Sequence, residues 1–588
     1  MSKKMNRRQF LGSSLGSMAY LAAMSSPLGL LRKVGASSHT KRYLINIQGQ
    51  GGWDSQWFHH TYPASSVNFP QNSPDPSVAS ATNSVANSSG IVTNITENFF
   101  HRRFPDSELL QHPNRSDVYM GMGMKYVFSN NMDLIKDNIA IWRGIQAPEG
   151  HGVSNHIIQG GSVSSYALSF AAIIAQGIAD QDYQRALHYV QLTPNADAFA
   201  STWALNTGAA VAINLPDYNA FNALTAPNAN EFSVASQRTL INNAVAQLST
   251  ISANRLKMKT SQQVYNSFLN GFNSAAGLAS TNIAQSNRFY YLWRNYTDAI
   301  CTKVYGLYDA SFKNNCLPIT GPDGTTYAAL NLDAVAAKNN LDSIRGAGYD
   351  WTESSPYSSF ADAKSKEGVD QPWLTNFKMM LGNGLGWWQV IINTAYNYAM
   401  AEFLVREDLS AVVDVPTSTT DAHDFSNDHL VRLTVTFTAY KTLLANLKST
   451  GLLDSTTVAM WTELDRTPNW QISNDSYNRG TGHNPTTSVL LAGYGVAGGK
   501  VVGDNMTGPG GAYNWQVTNG KWVHDFSTIQ YSSALPIDIN TGLASHSASA
   551  VIPTNRCVLP TMCSIFGISV PLQQVNDGIA IPAVKKSA

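Results

Sequence analysis

Met460-Trp-Thr-Glu-Leu-Asp-Arg-Thr-Pro-Asn-Trp-Gln-Ile-Ser-Asn-Asp-Ser-Tyr-Asn-Arg-Gly-Thr-Gly-His-Asn484 is the stretch from which the fold is read. It begins as the end of an apolar, β-branched run, Thr456–Trp461, the profile of a strand buried inside a sheet. Polarity then changes abruptly at Thr462-Glu463-Leu464-Asp465-Arg466-Thr467-Pro468. A polar loop leads to Gly480-Thr481-Gly482-His483, and a second apolar run follows from Thr487 to Ala492. Carboxylates, a guanidinium and an imidazole therefore stand at the mouths of two core strands. In open α/β sheets ligands bind outside the carboxyl ends of the strands, so chemistry is expected here.

Working outward, the same pattern recurs. Arg42–Ile47 is an apolar strand that opens onto Gln48-Gly-Gln-Gly-Gly-Trp53-Asp54-Ser55, where the glycines permit a tight turn. Asp54 reads either as a turn aspartate or as a metal ligand at that strand's end. Ile139–Trp142 is a further strand, followed by Glu149-Gly150-His151-Gly152-Val153-Ser154-Asn155-His156. With Ser154 or Asn155 as N-cap, His156 falls in the first turn of a helix, a position that favours anions. Capping and structural roles fit these residues equally. Leu409–Val413 is a strand ending at a carboxylate–histidine segment, Asp414 to Asp424, which holds Asp421 and His423.

Helical periodicity is expected over 166–182, 387–406 and 427–450, and His188–Leu192 reads as one more strand. Helices alternating with short apolar strands give a mainly parallel sheet with helices on its faces. Residues 63–98, rich in Ser, Asn and Pro, read as a loop insertion, and 195–350 as an α-rich insertion. The glycine-rich 493–503 segment lacks the helix that a nucleotide cradle requires.

The 588 residues carry 39 Lys+Arg against 39 Asp+Glu, and only 13% are charged. No basic stretch supports a nucleic-acid partner. At the N-terminus, Arg7-Arg8-Gln9-Phe10-Leu11 and the modest apolar region to Met24 resemble a twin-arginine export signal. The alternatives are an ordinary secretory leader or an uncleaved anchor, and the apolar region is short for a span of about 20 residues. Residues 1–38 are assigned to this signal, with cleavage between Ser25 and Ser38, and 39–588 to one domain. The expected partner is the twin-arginine translocase, and the expected location periplasmic or secreted, with no membrane span after cleavage. In an oxidising compartment, Cys301–Cys316 and Cys557–Cys563 are candidates to close two local loops.

Mixed carboxylate and imidazole ligands suit a divalent ion such as zinc or manganese. Together the motifs Gln50-Gly-Gly-Trp-Asp54, Ser154-Asn-His156, Asp421-Ala-His423, Thr462-Glu-Leu-Asp-Arg-Thr-Pro468, Gly482-His483 and Gly493–Gly499 resemble a bacterial family of twin-arginine-exported proteins of unknown function. That family is placed in the alkaline phosphatase/sulfatase superfamily. The resemblance implies an alkaline-phosphatase-like three-layer α/β sandwich. Asp54, Asp421, His423, Glu463 and His483 would stand where superfamily enzymes bind metal. Arg466 would be an anion clamp or a partner for a carboxylate, and Ser154 or His156 would lie near the nucleophile's place. The chain departs from the family's pattern at Ser55, Asp465 and Gly482, and it has no C-x-P-x-R segment of the formylglycine kind. The implied activity is metal-dependent hydrolysis of phosphate or sulfate esters, with a small molecule or a polymer as substrate. The alternative is a catalytically silent cell-envelope binding or assembly protein with the same fold.

Overall fold

Near-continuous apolar runs in the sequence become strands covered on both faces. The computed structural model describes residues 41–49, 51–53, 55, 58–60, 109–147, 150–162, 168–181, 185, 187–192, 386–417, 427–473, 478–506, 533–545, 547–572 and 576–587, with short pieces of 84–94, 213–214, 289–303, 319–327 and 515–524. Eight strands form the central sheet: β1 (Tyr43–Gly49), β2 (Ile139–Gln146), β3 (Tyr189–Gln191), β4 (Ile213–Asn214), β5 (Val412–Pro416), β6 (Thr456–Thr462), β7 (Thr486–Gly493) and β8 (Val501–Val502). Their order is β8-β2-β7-β6-β1-β5-β3-β4. The pairings of β1 with β5 and β6 are parallel, as are β5–β3, β3–β4 and β8–β2. Only β7 runs against its neighbours β6 and β2. The fold is thus mixed α/β with a mainly parallel sheet, as the alternation of elements predicts. β7 is antiparallel because the chain returns from β6 through a hairpin, without the long crossover that a parallel partner needs.

Alternate residues of each strand feed two cores. Ile45, Ile47, Ile141, Val413, Val458 and Met460 pack with α3 (Gly386–Arg406) and α4 (Asn427–Ser449) on one face. Leu44, Trp142, Val412, Ala459, Trp461 and Val489 pack with α1 (His151–Gly160), α2 (Phe170–Gln181) and α5 (Val558–Phe566) on the other. The result is three layers. No helix among the described residues is long and apolar enough to cross a membrane.

Four expectations need correction. The Val412–Pro416 strand runs past Asp414, which the sequence places beyond the strand end. Its buried carboxylate is held in the sheet by Asn46 Nδ2 at 2.8 Å, Tyr189 OH at 2.6 Å and Gln191 Nε2 at 3.2 Å. Trp461 Nε1 in turn donates to Asn46 Oδ1 at 2.7 Å, so one polar chain crosses four strands. The stretch between β6 and β7 is no plain loop: Asp465–Ser473 and Asn478–Asn484 pair as an antiparallel hairpin. Within the 63–98 insertion, Ser84–Ala86 and Val92–Asn94 pair likewise. Cys557 and Cys563 are both buried and free. Cys557 caps α5 and Cys563 lies deep within it, a spacing that places them apart along the helix. Residues 1–38, Cys301 and Cys316 lie outside the described residues, as does most of 195–350.

Candidate strand-end site

β1 and β6 are parallel neighbours, so Gly49 and Thr462 end side by side. The chain leaving β1 then lies along the chain leaving β6. Trp53 N–H donates to Leu464 O at 3.2 Å, and Arg466 N–H returns to Trp53 O at 2.8 Å. This close passage requires glycine at 52, whose φ is +81°. A Cβ there would meet Leu464 Cδ1 at 2.3 Å and Arg466 Nε at 3.0 Å.

Glu463, directly after β6, is 3% exposed. Its Oε1 accepts the Gly51 N–H at 2.6 Å, and its Oε2 accepts the Thr462 hydroxyl at 3.0 Å. His151 Nδ1 lies 2.7 Å from Oε1 as well. His151 comes from the other side of the rim: β2 ends at Gln146, Ala147 N–H is anchored on Pro485 O at 2.8 Å, and α1 begins at once. Its N-cap is Gly150, in extended conformation. Glycine is an acceptable cap, and this one starts the helix earlier than a Ser154 or Asn155 cap would. His151, and not His156, is therefore the first-turn histidine; His156 lies in the second turn. Gly150 and Gly152 face open space, and Val153 is exposed.

His483 completes the cluster. It is opposite Arg466 in the hairpin, and its ring meets the His151 ring edge-on with centroids 4.2 Å apart. Arg466 is fully buried and Nη2 donates to Gly51 O, which fixes the same loop that Glu463 holds through Gly51 N–H. Asp465 is buried too, and the Ser488 hydroxyl sits 3.0 and 2.8 Å from its two oxygens. Burial pushes its carboxyl up to about 8, the hydrogen bond only partly opposing this, so Asp465 is a neutral acid in the wall of the site. Ser154, fully buried, follows His151 by three residues and so shares its face of α1, while His156 points about 140° round the helix. Burial lowers the His156 imidazole below its ordinary value.

The structure thus sets Glu463 and His483 each against His151, which joins them, with Arg466 opposite His483 in the hairpin. Asp54, Asp421 and His423 lie outside the described residues. Glu463 and His483 are oxygen and nitrogen donors of the kind a zinc or manganese ion takes. Among the described residues, no group of three or more His, Cys, Asp or Glu side chains is arranged to hold an ion.

A family model matches part of the chain. It is described as "Protein of unknown function (DUF1501)" and covers residues 370–534, the segment with Asp421, His423, Glu463, Arg466 and His483. The Gly51 loop and His151 lie outside the matched residues. No curated protein matches the sequence. Two solved structures are similar at 8% identity. Ps i-CgsB in complex with k-i-k-neocarrahexaose aligns over 92% of this chain and 76% of its own, with a TM-score of 0.30. The PsFucS1 sulfatase from Pseudoalteromonas sp. aligns over 97% and 77%, with a TM-score of 0.29. The reading of the site rests on its own geometry.

Proposed function

We propose that the chain is an exported, metal-dependent hydrolase of phosphate or sulfate esters, acting at the rim around Glu463. The observation that carries this reading is the meeting of His151 with the buried Glu463, 312 residues away in sequence, beyond the ends of β2 and β6, two strands separated in the sheet by β7. A carboxylate that takes the Nδ1–H of a histidine fixes the ring's orientation and tautomer. It thereby leaves Nε2 as the proton-accepting atom. His151 is the general base in this reading, and Glu463 orients it. His483, edge-on to that ring, helps confine it. Ser154, one turn along the same face of α1, is the candidate nucleophile. Arg466 holds the Gly51 carbonyl, and through it the loop that closes over Glu463.

A divalent ion would be held by Glu463 and His483 together with Asp54, Asp421 and His423. When bound, such an ion polarises the ester oxygen and neutralises charge on the leaving group. Residues 1–38 act as the export leader in this reading, and the twin-arginine translocase delivers the chain to the periplasm or beyond.

A second reading is a silent binding or assembly protein of the cell envelope. One observation favours it: described contacts from Gly51, Thr462 and His151 already occupy much of the acceptor capacity of Glu463, as in a structural latch. Metal analysis of the purified protein, with turnover of aryl phosphate and aryl sulfate esters, separates the two. Turnover that needs zinc or manganese and disappears in Asp421→Ala supports the hydrolase. Absence of both bound metal and turnover rejects it in favour of the binding protein.

A further inference from the structure

The polar chain that crosses the sheet has a direction, and it points at Asp414. Trp461 Nε1–H can only donate, so the Asn46 atom 2.7 Å from it is the amide oxygen. The other arm of that amide, Nδ2, therefore donates to Asp414 Oδ1 at 2.8 Å. From the far side, Tyr189 OH and Gln191 Nε2 donate to Oδ2 at 2.6 and 3.2 Å. Every link thus ends on a carboxylate, a group that only accepts. None of these side chains is more than 4% exposed. They come from β6, β1, β5 and β3, which are consecutive neighbours in the sheet.

Apolar packing alone leaves open how these strands stand along one another. Side chains alternate with a period of two, so a slip by two residues keeps each one on its own face. The aliphatic residues of β1, β5 and β6 are similar enough to pack after such a slip. The polar chain is not. Asn46 stands opposite Asp414 in the β1–β5 register, and a two-residue slip sets it opposite Val412 or Pro416 instead. The carboxylate then loses a donor inside the sheet, where an unmatched charge is costly. Fixing register is the best-attested use of such buried polar groups. The same register sets Gly49 beside Thr462, and hence Gly51 N–H 2.6 Å from Glu463 Oε1. A slip by two moves these ends apart by about 6–7 Å.

We propose that Asp414 is a positioning residue for the rim. By gathering Asn46, Tyr189 and Gln191, and Trp461 through Asn46, it pins β1, β5 and β6 in the register that brings the Gly51 loop to Glu463. The path to the site is short on both sides. Trp461 precedes Glu463 by two residues in β6, and Asn46 precedes Gly51 by five in the chain leaving β1. Thr417 N–H, just past β5, continues the pairing by donating to Gln48 O at 2.9 Å. The effect on turnover rests on the hydrolase reading, whereas the effect on the Gly51 loop does not.

The direction of the chain supplies the test. Asp414→Asn brings an N–H against Asn46 Nδ2, and Asn46 cannot turn round without aiming that group at Trp461 Nε1–H. Adding Asn46→Asp mends both faults: the aspartate at 46 accepts from Trp461 and from the new amide at 414, whose oxygen accepts from Tyr189 and Gln191. The purified full chain, Asp414→Asn, Trp461→Phe and the double variant Asn46→Asp/Asp414→Asn are compared. The Gly51 amide proton resonance, which a short bond to a carboxylate carries downfield, reports the loop. Aryl phosphate turnover reports the site. In Asp414→Asn the resonance should move upfield and kcat fall about tenfold or more at nearly unchanged KM, and the double variant should restore both. If Asp414→Asn does not fold, a folded double variant with wild-type values, and an upfield move in Trp461→Phe, give the same support. A resonance that stays in place in every folded variant overturns the proposal, even where urea unfolding shows lower stability. So does a double variant no better than Asp414→Asn, or a resonance that moves while kcat does not. A wild-type chain without turnover whose Gly51 resonance moves and is restored rejects the hydrolase and retains the pin.

Discussion

Nδ1 of His151 lies 2.7 Å from Oε1 of Glu463, and Gly51 N–H donates to that same oxygen at 2.6 Å. One carboxylate therefore ties together the chain leaving β1, the chain leaving β6 and the first turn of α1. Glu463→Ala leaves the Gly51 N–H and the His151 ring without this acceptor in a nearly closed environment. The expected loss is about 2–4 kcal/mol, from charge-assisted bonds each contributing about 1.5–3 kcal/mol. Urea unfolding measures it, and a loss below the experimental error contradicts the latch.

Gly52→Ala tests the loop from its backbone. The residue holds φ +81° and has Leu464 where a Cβ would stand. Strain of this kind costs about 1–3 kcal/mol, and here it also pushes the Gly51 loop off Glu463. A lower melting temperature together with lower ester turnover is expected. A variant as stable and as active as the wild type shows that the loop accommodates a side chain.

Asp465→Asn is expected to stabilise in mild alkali. The folded carboxyl keeps its proton to about 8, whereas in the unfolded chain it releases it near its ordinary value of 3.8. Its contribution is thus complete below that lower value and is lost progressively as pH rises towards 8. Asparagine mimics the neutral acid toward Ser488 and removes the dependence. Melting curves at pH about 8 should rise by about 2–4 °C, and an unchanged or lower value contradicts a neutral Asp465.

Acid sensitivity should come from buried imidazoles. Burial lowers His60, His112 and His188 to about 4 and His59 to about 3, against an ordinary 6.5. The unfolded chain takes up these protons first, so stability is full above about 6.5 and falls as pH drops towards 4. Replacing His188, which bonds Ala175 O and the Arg185 N–H, does not test this cleanly. His59→Phe does, because His59 makes ring contacts without a hydrogen bond: it should flatten the acid limb of a stability–pH profile, and a profile of unchanged slope is the contrary result.

Much of this architecture was legible because its strands are buried on both faces. Runs such as Thr456–Trp461 and Thr487–Ala492 have no other reading at that length between polar segments, and the structure extends each by about a residue at one or both ends. The strand-end rule then selected Glu463 and His483 without any coordinates. His151 was missed because three residues within α1 and its lead-in make acceptable caps, and capping preference ranks serine and asparagine at least as high as glycine. The sequence places Asp414 beyond the strand end because a carboxylate inside a sheet is costly unless paired. Its partners Asn46, Tyr189 and Gln191 come from other strands and leave no local trace. The 465–484 hairpin lacks apolar alternation, which is the signal by which a strand is recognised.

The most direct test of the central claim, that His151 and Glu463 act as one unit, is a double-mutant cycle on ester turnover. His151→Ala, Glu463→Ala and the double variant are compared with the wild type on aryl phosphate and aryl sulfate esters in the presence of zinc or manganese. The account predicts that each single change lowers kcat by about 100-fold or more, and that the double variant is no slower than the worse single one. Single effects that multiply in the double variant, or a wild-type chain that turns over neither ester, would contradict it.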